Sequence, residues 1–167
     1  MKNLLKVIDD ISDWTGRISS LLILLITGVI LFEIFARFFF GKPTIWAFEI
    51  SLVLYGVYVS MLGAFVLLTG GHVNVDILYV RFSPRTRAGV NLFSWLIFFL
   101  WCGAFIWTGW IRGWESLMIR ERESTAFGCP IYPVKLSLAI GGSLLFLQGL
   151  AGYVRNLYTF VTGRKIG

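Results

Sequence analysis

Four long, nearly charge-free stretches constrain this chain more than anything else in it: residues 18–40, 46–68, 88–111 and 131–154. As helices each measures ~34 Å, enough to cross the hydrocarbon core of a bilayer with modest tilt. The stretches are continuously apolar, whereas a strand of a membrane barrel alternates, and lipid admits only helices or closed barrels. The expected fold is therefore an all-α integral membrane protein with four transmembrane helices, built as a single domain over residues 1–167. With 57% hydrophobic and 14% charged residues, the chain lacks the polar surface of a soluble domain.

Residues 1–17 begin like a signal peptide, with Lys2 and Lys6 ahead of an apolar run, but that run is too long and no small-x-small site closes it. The segment reads instead as an amphipathic interfacial helix that turns inward at its end. Leu4, Ile8, Ile11, Trp14 and Ile18 share one face, and Lys6, Asp9, Asp10, Asp13 and Arg17 the other. A frayed tail is the alternative. Nine Lys and Arg residues flank one membrane side (Lys2, Lys6, Arg17, Arg81, Arg85, Arg87, Arg155, Arg164 and Lys165), against six on the other. The positive-inside rule then places both termini in the cytoplasm.

The second apolar stretch stops at Gly70-Gly71, read as a helix C-cap. Residues 72–83 are expected to form an interfacial connection, including His72, Asp76 and Arg81 and turning Ile77, Leu78, Val80 and Phe82 toward lipid or a partner. Ser83-Pro84 suits a helix start. Arg85 and Arg87 would lie among phospholipid headgroups as topology anchors. The other long connection, 112–130, alternates in sign through Arg120, Glu121, Arg122 and Glu123, as either a solvated cap or a docking surface.

Glu33, Arg37 and Glu49 are charges at membrane depth, which usually have partners. Arg37 and Glu49 each lie three residues inside a helix end, so equal depth predicts an Arg37–Glu49 ion pair, with Glu33 sharing the arginine from one turn away. Snorkelling of all three to headgroups is the alternative. Gly56, Ser60 and Ala64 form a small-residue stripe for close helix approach, as do Gly109 with Gly113 and Ala139 with Ser143. Seven Trp and fifteen Phe exceed what so small a bundle can bury, so lipid or a larger partner should cover them.

One histidine, His72, excludes a bis-histidine haem within the chain, and no Cys, His or carboxylate cluster has metal-ligand spacing. Cys102 and Cys129 are not expected to pair. No phosphate loop, catalytic set, cofactor site or nucleic-acid surface is recognisable, so no cofactor and no enzyme activity are expected.

These residues resemble a family. Glu33-x-x-x-Arg37, Pro43-x-x-Trp46-x-x-Glu49, Gly71-His72-Val73-x-Val75-Asp76 and Ser83-Pro84-Arg85 are similar to the small membrane subunit, of DctQ type, of tripartite ATP-independent periplasmic (TRAP) transporters. Gly113-Trp114-Glu115-Ser116, Pro130-x-Tyr132-Pro133-x-Lys135 and Gln148-Gly149 resemble the branch labelled for mannitol or chloroaromatic compounds. The resemblance implies a bacterial inner-membrane location and two protein partners, besides membrane lipids. One is a large membrane subunit that holds the sodium and substrate sites and moves as an elevator; the other is a periplasmic substrate-binding protein that delivers an organic acid. It implies a static scaffold role for this chain, and raises the expectation that Arg120, Glu121, Arg122 and Glu123 contact the binding protein. The competing reading is a self-contained dimeric proton-coupled exporter using Glu33.

Overall fold

The computed structural model describes residues 2–71 and 84–162, with side chains over residues 3–71 and 93–158. Its four long helices are α1 (Lys2–Phe40), α2 (Ala47–Leu68), α3 (Pro84–Met118) and α4 (Tyr132–Thr162). All four are long and apolar enough to span a membrane, so the chain is an all-α, multi-pass membrane protein. The expected connection at 72–83, with His72, Asp76 and Arg81, lies outside the described residues. Arg85 and Arg87 fall in the first turns of α3, but their side chains also lie outside them.

The helices pack as a row in the order α1, α2, α4, α3, with a lesser contact between α1 and α4. Chain direction makes α2 and α4 parallel and each outer helix antiparallel to its neighbour. One end of the row carries the α1–α2 and α3–α4 connections and is called the loop end below; the opposite end carries both termini. At 39 residues, α1 is ~58 Å long and overreaches a ~30 Å hydrocarbon core. The expected break near residue 17 is absent, and the amphipathic segment continues straight into the first span. Nothing in Arg17-Ile18-Ser19-Ser20 stops a helix, because no Gly–Pro punctuation or cap competes with propagation.

The buried set is composed largely of small side chains: Ala47, Ala64, Ala139 and Ala151, with Ser12, Ser19, Ser116 and Ser137 and the two cysteines. Bulky residues face outward, among them Leu24, Phe38, Trp101 and Trp107. The inversion follows from the solvent. Lipid tails are as apolar as leucine, so no hydrophobic gain draws large side chains inward, and contact is won by close backbone approach. The same reasoning applies to residues 1–17. Leu4, Ile11, Trp14 and Ile18 are exposed, and the inward face is Leu5, Ser12, Gly16 and Ser19.

Glycines mark the closest crossings. A Cβ at Gly141 of α4 would overlap the Ser60 carbonyl of α2, and one at Gly56 would lie 2.7 Å from Val134 Cγ1. Ala64, the third member of that stripe, is 1% exposed. On the other flank a Cβ at Gly109 would lie 3.2 Å from Ala139 Cα, and one at Gly113 would lie 3.3 Å from the Lys135 carbonyl oxygen. Gly149 and Gly152 make room for Phe98 and Trp95, which join Phe99, Phe146 and Tyr153 in a cluster of stacked and edge-on rings between α3 and α4.

Gly141→Ala should therefore force α2 and α4 apart and destabilise the purified protein by about 1–3 kcal/mol, the usual cost of overpacking. Gly28→Ala and Gly103→Ala, where nothing lies within 4 Å of the added carbon, should leave thermal unfolding in detergent unchanged or slightly raised. Equal melting temperatures for all three variants would show that the crossing is not tight.

Candidate functional site

The loop end is organised by three carboxylates. Gly41 ends α1 at φ 62°, Lys42 N–H donates to the Ala36 carbonyl at 3.3 Å, and the chain folds back over the last turns of the helix. Glu33 holds that return. Its Oε2 accepts the Thr44 backbone N–H at 2.9 Å and also the Thr44 hydroxyl. Its Oε1 takes Arg37 Nη2 at 2.7 Å and Nε at 3.2 Å. Glu33 is 15% exposed and Arg37 68%, so the carboxylate is enclosed while the guanidinium projects outward. Phe32 stacks on Trp46 beside it, ring centroids 5.7 Å apart.

The expected Arg37–Glu49 pair does not form. Arg37 is taken by Glu33 on its own helix, and Glu49 accepts the Cys129 backbone N–H at 3.0 Å. Position relative to the helix ends does not fix direction around the helix. Ala47 and Glu49 are buried, and Glu49 points across α2 to the α3–α4 connection. As the third residue of α2, Glu49 also sits where the helix dipole favours a negative charge.

That connection is a built hairpin. Arg120, at φ 49°, ends α3 with Glu121 N–H donating to the Ser116 carbonyl at 2.9 Å and Arg120 N–H to the Leu117 carbonyl at 3.1 Å. This pairing normally places glycine at the left-handed position; the second helix ends the same way with Gly70 at φ 70°. Arg122 then bridges antiparallel to Pro130, flanked by Glu123 N–H to the Cys129 carbonyl (2.9 Å) and Ile131 N–H to the Glu121 carbonyl (3.1 Å). Glu121 is paired with Lys135 of α4, whose ammonium holds the Glu121 carboxyl below its ordinary range. Arg122 donates to the Gly128 carbonyl at 3.4 Å. Arg120, Arg122 and Glu123 are exposed, and Glu121 is half-buried. Burial, and then the Glu49 charge, push the Cys129 thiol above its ordinary value.

At the terminal end lies a polar cluster that the reading of residues 1–17 missed, since Asp9 was placed on the water-facing side. Gln148 of α4 is 3% exposed; its Oε1 accepts the Ser12 hydroxyl at 2.9 Å and its Nε2 donates to Asp9 Oδ1 at 3.0 Å. Arg155 pairs with the other Asp9 oxygen. Ser12 and Asp9 lie three apart on the face that also carries Leu5 and Gly16. The legible signal was Gln148, a primary amide within an apolar helix that has to find a partner. Of the other small-residue positions, Ser60 donates to its own Gly56 carbonyl, and Ser143 accepts Trp110 Nε1 at 3.4 Å. Gly71 is exposed at the end of α2. Among the described residues no group of His, Cys, Asp and Glu could hold a metal ion.

Two outcomes follow from these clusters. Gln148→Leu and Ser12→Ala should each cost roughly 0.6–2 kcal/mol of stability and the double variant less than the sum, because both remove the shared Ser12–Gln148 bond; full additivity in a double-mutant cycle would contradict the contact. At the loop end, a carboxyl with a depressed folded pKa contributes stability that is complete above its unfolded pKa and lost as pH falls through the folded value. Protection factors of the Glu123 and Ile131 amides should thus stay constant above about pH 5 and drop on further acidification. Glu121→Gln should lack that drop.

The family described as "Tripartite ATP-independent periplasmic transporters, DctQ component" matches residues 26–159, a segment running from mid-α1 through most of α4. The chain is also similar to the "Sialic acid TRAP transporter permease protein SiaT" of Haemophilus influenzae (strain 86-028NP). Identity is 32% over 106 residues, 63% of this chain but only 17% of that much longer protein. The family match covers the hairpin and the carboxylates of Glu33, Glu49 and Glu121, and the chain belongs to the DctQ component family of tripartite ATP-independent periplasmic transporters, as a small membrane subunit.

Proposed function

We propose that this subunit is the immobile scaffold of a sodium-coupled, binding-protein-dependent transporter for organic acids, bracing a large elevator-type membrane subunit. The observation that carries this reading is the row of helices, packed through small residues with bulky apolar side chains turned outward. Such a layer offers wide lateral surface and little interior. Transport sites use broken helices whose exposed backbone and polar groups converge at mid-membrane; α1 to α4 are unbroken over their described lengths, and Ser60 is spent on its own helix. Substrate and sodium would then be held by the large subunit, and salt links at both ends of the row suit a part that stays rigid while its partner moves.

The excess of basic residues at the terminal end supports a bacterial cytoplasmic-membrane orientation with both termini inside. The hairpin then faces the periplasm. With Glu121 committed to Lys135, Arg120, Arg122 and Glu123 are the groups left to meet a periplasmic binding protein. The exporter reading fares poorly because Glu33 is enclosed by Arg37 and Thr44, a setting for a standing charge.

Purification in mild detergent should yield a one-to-one complex with a large polytopic subunit; an active homodimer in its place would favour the exporter. Joint replacement of Arg120, Arg122 and Glu123 by alanine should slow binding-protein-dependent uptake about threefold to tenfold at low ionic strength and little at high salt, because exposed charges steer encounter and are screened. Uptake kinetics identical to wild type at every salt concentration would reduce the hairpin to a solvated cap.

A further inference from the structure

The outward face of α2 carries a second pattern besides its small-residue stripe. Phe48, Leu52, Tyr55 and Val59 recur at spacings of four, three and four residues and are 71, 52, 54 and 49% exposed. That is the spacing of a helix-packing seam, here without a partner among the described residues. Two furrows flank it. One, about 640 Å³, lies between α1 and α2 and is headed by Glu33 and Arg37. The other, about 360 Å³, lies between α2 and the hairpin and is lined by Glu49, Glu123, Cys129 and Val134. Phe48 and Leu52 line both, so the seam is a ridge between two grooves.

The second furrow has a charge problem. Glu49 is 9% exposed and accepts one amide N–H, and among the described residues it has no ion pair. The α2 N-terminus and the Cys129 amide offset part of its charge. Glu123, on the rim of the same cavity, adds a second negative group, and Arg122 is turned to the Gly128 carbonyl. Apart from Thr125 and Cys129, the remaining walls are apolar. A carboxylate at the bottom of a largely apolar cavity is costly unless a cation reaches it. Lipid tails cover the seam but do not neutralise the acid.

We infer that this α2 face is where a transmembrane helix of the large subunit docks, its apolar side lying along Phe48, Leu52, Tyr55 and Val59 and an arginine or lysine from it entering the furrow to pair with Glu49. The inference rests on the scaffold reading, since it requires that partner. It gives Glu49 two roles on its two oxygens, one holding the hairpin through Cys129 and one facing the incoming cation. It also separates the faces of the row: the exposed aromatics of α3, Trp101 and Trp107 among them, have no buried charge beneath them among the described residues and are left to lipid.

The test uses the full chain co-expressed with the large subunit and a photo-reactive phenylalanine analogue in place of Leu52, Tyr55 or, as control, Trp107. Irradiation should yield an adduct with the large subunit from positions 52 and 55. An adduct from 107 with none from 52 or 55 would overturn the assigned face while leaving the partnership standing, whereas no adduct from any position together with a chain that purifies alone would sink the partnership itself. Glu49→Gln keeps an acceptor for Cys129 but removes the charge. In a Cys102→Ala background it should lower the assembled fraction about tenfold while Cys129 stays as unreactive to maleimide as before. Undiminished assembly would refute the cation pairing. So would a loss of assembly that tracks the release of Cys129, which would make Glu49 only a hairpin anchor. A charge-reversed Glu49→Lys should be rescued by a single Arg→Glu or Lys→Glu change in a large-subunit span, and failure of every such change to rescue would also count against the pairing.

Discussion

Close backbone approach between α2 and α4 is the contact on which the rest of the molecule depends. In hydrocarbon a leucine gains nothing by turning inward, so two helices hold together only where their backbones come near enough for many weak contacts to add. Gly56 against Val134 and Gly141 against the Ser60 carbonyl supply that nearness. With this central pair set, α1 is laid against α2 through Gly16 beneath Phe65, and α3 against α4 through Gly109 and Gly113. The row order follows, and with it the outward display of leucine, phenylalanine and tryptophan. A protein of this kind has almost no apolar core in the soluble sense, and its surface is shaped for whatever lies beside it.

Polar links do a different job. Van der Waals contact along a seam leaves helices able to slide, because one turn of a smooth apolar helix resembles the next. Bonds at the two ends remove that freedom. Asp9, Ser12 and Gln148 set the register of α1 on α4 at one end; Glu33 closes the α1–α2 return and Glu49 ties the hairpin to α2 at the other. Each carboxylate is enclosed by donors from a different segment, and a low-dielectric surrounding makes those bonds matter. Pinned register is what a subunit needs if it is to serve as the fixed reference for a moving neighbour.

What could be read in the sequence divides along physical lines. Span number and helical character were legible because continuous apolar length has one solution in a bilayer. The small-residue positions Gly56, Ser60, Ala64, Gly109 and Gly113 were legible because a four-residue period maps directly onto one helix face. Partner identity was not. Arg37 and Glu49 each lie three residues inside a helix end, yet Arg37 pairs with Glu33 and Glu49 turns to Cys129, and azimuth depends on how the helices pack together. Asp9 was misplaced for a related reason. On an isolated helix it belongs with Asp10 and Asp13 on a water-facing side, and only the presence of Gln148 and Arg155 on α4 makes its own direction the inward one. The continuity of α1 past Arg17 went unforeseen because amphipathic pattern alone does not say whether the next turn bends.

The same logic separates Glu33 from Glu49 at the loop end. Glu33 has its charge answered within the chain, by Arg37 on one oxygen and Thr44 on the other, and so it stabilises a turn whether or not any other protein is present. Glu49 has one oxygen answered by a backbone amide, and the cavity beside it adds another acid where a base would be expected. A free subunit organised only for its own stability would place a basic residue at that cavity or replace Glu49 by an apolar side chain, since a poorly compensated charge at membrane depth costs more than it returns. An acid there makes physical sense in a chain whose folded unit is larger than itself, and under the proposed docking the missing counter-charge belongs to the part of the assembly that would meet the exposed ridge of α2.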